Sequence, residues 1–128
     1  MSEQVVLDAS ALLAFLQREP GGKRVASVLH QSIMSAVNLA EVVSKAIDNG
    51  GTLEGVLSSL SPLLMRVVPF EPEDAYISGS LRAATSAKGL SLGDRACLAL
   101  GLKTCLPVLT TEGKWLEIDV GVQVEKIR

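Results

Sequence analysis

Along the chain, apolar and polar positions fall into short blocks whose period changes from segment to segment. Gln4 to Leu7 reads as a short buried strand, and Ala11 to Gln17 as a helix that follows at once. Pro20-Gly21-Gly22 stops that helix, Lys23 to His30 form a second, and Ile33 to Ser35 is a short strand. Leu39, Val42, Val43, Ala46 and Ile47 then recur at i, i+3, i+4, i+7 and i+8, the mark of an amphipathic helix. Asn49-Gly50-Gly51 closes it in the manner of a glycine C-cap. Leu53 to Leu64 suggests another helix, Met65 to Pro69 a strand, and Pro72 to Ala87 a helix stopped by Lys88-Gly89. Leu92 to Thr104 is apolar almost all round, which predicts a deeply buried helix. Pro107 to Thr110 gives a strand, Lys114 to Glu117 a short helical turn, and Val120 to Ile127 a final alternating strand.

Short strands alternating with helices indicate an α/β domain whose mainly parallel sheet is covered on both faces. With no internal repeat, low-complexity segment or long linker, residues 1–128 read as a single domain. Ligands of open parallel sheets bind outside the carboxyl ends of the strands. Asp8 ends the first strand at that edge, and Glu112 follows Val108 to Thr110 in the same sense.

Composition adds limits. Apolar residues make up 48% of the chain and aromatic ones only 3%, so the core must be aliphatic. No apolar stretch approaches the roughly 20 residues that cross a bilayer. The N-terminus lacks the basic flank and cleavage site of a secretory signal, so a cytoplasmic location is expected. A mean hydropathy of +0.35 without a membrane span suggests surface hidden in an oligomer or against a partner. Cys97 and Cys105 have no metal-type spacing and read as two reduced core thiols. A net charge of −2 argues against a generic nucleic-acid coat.

Each acid of interest has an ordinary structural role open to it. Glu41 lies opposite the apolar stripe with Lys45 and Asp48, and it forms a favourable i, i+4 pair with Lys45. Asn38-Leu39-Ala40-Glu41 also resembles a capping box, as does Ser91-Leu92-Gly93-Asp94. Glu112 suits a turn, and Ser10 suits the cap of the first helix. Asp8 is the hardest to explain this way, because burying an unpaired carboxylate costs several kcal/mol or more.

Together the acids say more than each alone. Converging carboxylates raise one another's pKa, and a divalent cation removes that penalty. Oxygen-only ligands suit Mg²⁺ or Mn²⁺, and such an ion activates water and polarises a phosphodiester. Without Asp8, Glu41, Asp94 and Glu112, ten acids stand against twelve bases. Arg18, Lys23, Arg24, Arg82, Lys88, Arg95 and Lys114 are then available to an RNA backbone.

At these residues the sequence resembles the PIN-domain ribonucleases, most closely the VapC-type toxins of type II toxin–antitoxin pairs. The matching segments are VVLDASALLAFL, SAVNLAEVVSKA, LSLGDRACLALGL, PVLTTEGKW and IDVGVQVEKIR, in the family's order from residue 5 to 128. The resemblance implies a PIN-like three-layer α/β/α fold with a short-stranded parallel sheet. It implies metal-dependent endonucleolytic cleavage of RNA at an acidic pocket holding Mg²⁺ or Mn²⁺. By position, Asp8, Glu41 and Asp94 match the family's core acids, Ser10 and Asn38 its polar support, and Thr110 the threonine before the last acid. Glu112 stands where the family has Asp, and Gly113 where a basic residue is common. As a fourth catalytic and metal-binding position, Glu112 is therefore the one that departs. Arg95, Arg18 and Lys114 are the expected RNA contacts. The family also implies homodimers and a cognate antitoxin.

Other readings separate from this one on particular residues. The change to Glu112 keeps open a catalytically weak or inactive module that acts by protein interaction. A phosphoryl-transfer enzyme with Asp8 as nucleophile would want a second Asp where Ser10 stands. There is no G-x-S-x-G elbow, and Gly21-Gly22-Lys23 lacks the spacing of a P-loop.

Overall fold

The computed structural model describes residues 3–128. Its centre is a parallel five-stranded sheet in the order β3-β2-β1-β4-β5. The strands are β1 (Val5–Leu7), β2 (Ser32–Ser35), β3 (Arg66–Val68), β4 (Val108–Thr110) and β5 (Val124–Lys126). Between them run α1 (Ala9–Leu16), α2 (Gly22–Val28), α3 (Ala36–Asp48), α4 (Leu53–Leu60), α5 (Pro72–Ser80), α6 (Arg82–Thr85) and α7 (Leu92–Thr104). A 3₁₀ turn, Gly113–Glu117, precedes β5.

The three central strands are buried from end to end, and β1 accordingly reads as an unbroken apolar run rather than as alternation. Successive side chains still leave opposite faces. Val5, Leu7, Met34 and Leu109 join Leu12, Val25 and Val42 in a core under α1, α2 and α3. Val6, Ile33 and Val108 join Leu98, Leu81 and Trp115 in a second core on the side of α7. The outcome is the three-layer α/β/α arrangement expected from the sequence.

Several boundaries move, for physical reasons. The first helix starts at Ala9 rather than Ala11, because Asp8 and not Ser10 is its N-cap. The Leu53 helix ends at Leu60, and the helical stretch after Pro72 divides into α5, α6 and a 3₁₀ turn. The last strand shortens to Val124–Lys126, since Gly121 takes a left-handed φ of 87° that ends extended backbone before it. Helix α7 keeps its expected limits and is buried along Gly93 to Gly101, apart from half-exposed Asp94. Cys97 lies in the core as expected, but Cys105 does not. It is the left-handed C-cap of α7 (φ 57°), which turns the chain toward β4 and leaves the thiol exposed.

Helices α1 and α2 cross at Gly22, where an added Cβ would lie 2.7 Å from the Ala14 carbonyl oxygen and 3.1 Å from Phe15 Cα. Backbone cannot yield there as a side-chain tip can. Gly79 in α5 faces open space. Gly22→Ala is therefore expected to destabilise by roughly 1–3 kcal/mol, and Gly79→Ala to stabilise by up to about 1 kcal/mol. Urea unfolding of both variants checks the contrast.

Candidate active site

Asp8 leaves β1 at the carboxyl edge of the sheet, and only 3% of it is exposed. Its Oδ1 accepts the Ala11 N–H at 2.8 Å, the bond that caps α1. Ser10 Oγ lies 2.7 and 2.9 Å from the two carboxylate oxygens and shares one proton between them. Thr110, fully buried at the end of β4, donates its hydroxyl to Oδ2 at 2.6 Å. Ser10 Oγ in turn accepts the Thr111 N–H, and Thr110 Oγ1 accepts the Glu112 N–H, each at 3.0 Å. Neighbouring strand ends are thus tied through one carboxylate. Burial still outweighs these donors and, with the Asp94 charge adding to it, pushes the Asp8 carboxyl up to about 6.

Asp94 arrives from the N-terminus of α7. The expected capping box is present: Asp94 Oδ2 accepts the Ser91 N–H at 2.9 Å, and Ser91 Oγ accepts the Asp94 N–H at 3.1 Å. The box occupies one carboxylate oxygen, so capping and a place beside Asp8 are compatible.

Glu41 differs from its sequence reading. Helix α3 is capped by Ser35, so Asn38 lies inside its first turn and no capping box joins it to Glu41. Instead Asn38 Nδ2 donates to Glu41 Oε1 at 2.8 Å and to the Gly93 carbonyl at 3.0 Å. Nor does Glu41 pair with Lys45; among the described residues the ion pairs lie elsewhere. The first half of α3 crosses the start of α7, which draws Glu41 off the solvated face and over Gly93. Beneath the three acids lies Cys97, whose thiol is pushed up by burial first and then by the charges of Asp8, Asp94 and Glu41. Carboxylates from three elements therefore act on one buried sulfur.

Glu112 reaches the same edge but stays exposed, and its carboxylate makes no hydrogen bond among the described residues. With Ser10, Gln17, Lys45 and Arg128 it lines a cleft of about 360 Å³ beside the cluster. The basic residues are more dispersed than the sequence suggests. Arg18 is exposed and Lys114 half-buried. Arg24 is bound to Glu125 and Lys88 to Glu117. Arg95 turns inward, because the face of α7 that carries it packs on α5, and its Nη1 donates to the Ser78 carbonyl at 3.0 Å. A residue given no site role in the sequence reading, Gly93, forms the floor under Glu41. Its signal was a glycine in the first turn of a helix predicted to be buried.

Among the described residues, no three His, Cys, Asp or Glu side chains are gathered closely enough to enclose an ion by themselves. Among the same residues, no cation pairs with Asp8, Glu41 or Asp94 either. Oxygen donors left without a counter-charge fit a hard ion that takes one or two carboxylates and keeps several waters, as Mg²⁺ does.

The raised Asp8 carboxyl has a consequence for stability without metal. The folded state holds this proton more tightly than the unfolded chain, so stability declines as pH rises from about 4 through about 6. Between about pH 5 and pH 7.5 the loss from this group is expected to be roughly 1–2 kcal/mol. Urea unfolding in EDTA at both pH values checks it, with Asp8→Asn lacking that part of the decline.

Residues 5–120 match the model of the PIN domain family. The fold is similar to DNA-bound VapBC from Salmonella typhimurium, with a TM-score of 0.75 and 16% identity over 97% of this chain and 98% of that one. It is also similar to a toxin–antitoxin complex from Klebsiella pneumoniae (TM-score 0.74, 20% identity, 93% and 95% of the two chains). A third likeness is to VapBC-5 from Mycobacterium tuberculosis (TM-score 0.65, 21% identity, 99% of each chain). At these identities the likeness concerns the fold alone. No curated protein matches the chain in sequence. The family match takes in β1, the crossing of α3 with α7, and β4, the elements that carry Asp8, Glu41, Asp94 and Thr110, and this chain belongs to the PIN domain family.

Proposed function

We propose that this protein is a Mg²⁺- or Mn²⁺-dependent endoribonuclease and the toxin of a type II toxin–antitoxin pair. Nuclease activity is general in its family. The observation that supports the reading is a buried Asp8 carboxylate at the carboxyl edge of the sheet, with the Asp94 charge acting on it and no ion-pair partner among the described residues. The chemistry supplied by an ion held there is polarisation of a phosphodiester and a lowered pKa for attacking water.

The chain's own residues prepare that site. Ser10, Thr110 and the Ala11 N–H fix the Asp8 carboxylate with donors, so its two oxygens keep one orientation when ionised. Asn38 holds Glu41, and the box with Ser91 holds Asp94 while using only Oδ2. Glu112, one methylene longer than the family's Asp and outside the bonded cluster, acts from the rim of the cleft. Arg18 and Lys114 remain as RNA contacts, whereas buried Arg95 is withdrawn from that role. Exposed Tyr76, Leu92 and Leu116 supply apolar surface for a second copy or an antitoxin. The complexes of similar fold from Salmonella typhimurium and Klebsiella pneumoniae support an antitoxin partner.

One observation favours a second reading, an interaction module of the same fold: the Glu112 carboxylate has no bond to the cluster. Purified protein incubated with structured RNAs separates the two. Cleavage is expected with Mn²⁺ or Mg²⁺ and not with EDTA, and Asp8→Asn or Asp94→Asn should slow it by roughly 10²–10⁴-fold. Undiminished cleavage by those variants would remove these residues from the site. Absence of both cleavage and Mn²⁺ binding in the wild type would favour the interaction module.

A further inference from the structure

Gly93 occupies the first turn of α7, where glycine has no conformational reason to be. Its φ lies outside the left-handed region, and inside a helix glycine costs up to about 1 kcal/mol against alanine. The reason is spatial. A Cβ on Gly93 would sit 2.5 Å from Cδ, Oε1 and Oε2 of Glu41, and these are its three nearest atoms. Equal distances to the three atoms mean that the flat face of the carboxylate lies over the position a Gly93 Cβ would take. The other tight glycines differ: at Gly22 the nearest atom is backbone, and at Gly101 it is the apolar tip of Val108.

We infer that Gly93 is a positioning residue, whose missing side chain opens the seat that holds the Glu41 carboxylate toward Asp94 and Asp8; this rests on the metal-dependent reading above. Asn38 completes the seat, since one amide nitrogen binds both Glu41 Oε1 and the Gly93 carbonyl. The carboxylate is thus held by a hydrogen bond at its edge and by a surface with no Cβ beneath its face. What a new methyl group would meet is the far end of a flexible side chain, not backbone. Gly93→Ala is therefore accommodated by swinging Glu41 away, with the fold kept and the acid misplaced. Glu41→Asp, one methylene shorter, withdraws the carboxylate from the same spot and relieves the conflict.

The test is Mn²⁺ affinity by calorimetry, together with thermal melting in EDTA, for wild type, Gly93→Ala, Glu41→Asp and the double variant. Gly93→Ala is expected to melt close to wild type and to bind Mn²⁺ roughly 10- to 100-fold more weakly. The double variant is expected to bind more tightly than Gly93→Ala, which loss of packing alone would not produce. Equal Mn²⁺ affinity in wild type and Gly93→Ala would overturn the inference and leave the metal site standing. A wild type that binds no Mn²⁺ would overturn both. If Gly93→Ala fails to fold, a folded double variant supports the seat, and an unfolded one shows that Gly93 serves helix packing instead.

Discussion

A carboxylate kept out of water at the end of β1 is the constraint around which the rest of this molecule is arranged. Desolvation works against its charge, and the donors supplied by Ser10, Thr110 and the Ala11 N–H recover part of what is lost, leaving the carboxyl near 6. Those donors come from the start of α1 and the end of β4, so the bonds that hold the charge also join two neighbouring strand ends. The Asp94 charge opposes ionisation further, and among the described residues no cation pairs with either acid.

The sheet makes this arrangement possible. Parallel strands covered on both faces place every carboxyl end along one edge, and the helices that follow begin there with their N–H groups directed to the same side. Asp8 is the N-cap of α1 and Asp94 is the partner of the N-cap Ser91 in the capping box of α7, so each acid satisfies a backbone donor at a helix start. A structural role for these acids is therefore compatible with the proposed functional one. A carboxylate that caps a helix is held still, and a held carboxylate is what an ion with strict geometry requires.

Much of the fold was legible because the periods differ. The buried runs at Val5 to Leu7 and Val108 to Thr110, the stripe in α3 and the all-round apolarity of α7 each leave a distinct pattern. The mistaken readings share a cause. A helical wheel assumes one solvated face along the whole helix, but α3 changes neighbours between its first and second halves. Glu41 is therefore drawn onto α7 while Lys45 stays in water. Arg95 went astray likewise, since one residue beyond Asp94 the helix has turned by about 100°, and the side chain meets the Ser78 carbonyl of α5. Cys105 is apolar in its surroundings along the chain but caps a helix in a left-handed conformation, which turns it outward.

The sequence by itself determined the α/β class, the order of elements and the two acids at the strand ends, because period and punctuation are local properties. It also marked Ser91 to Asp94 as a capping box, which the structure retains. The family resemblance had named Glu41 and Thr110 as site residues, but only the tertiary structure shows the Glu41 carboxylate lying over Gly93, the Thr110 hydroxyl bonded to Asp8, and Glu112 left exposed. These depend on how α3 crosses α7 and how β1 registers with β4, contacts between residues some 50 to 100 positions apart that no local pattern encodes. Gly93 states the difference most simply. In the sequence it is an unfavourable residue in a helix, and in the fold it is the space where a carboxylate rests.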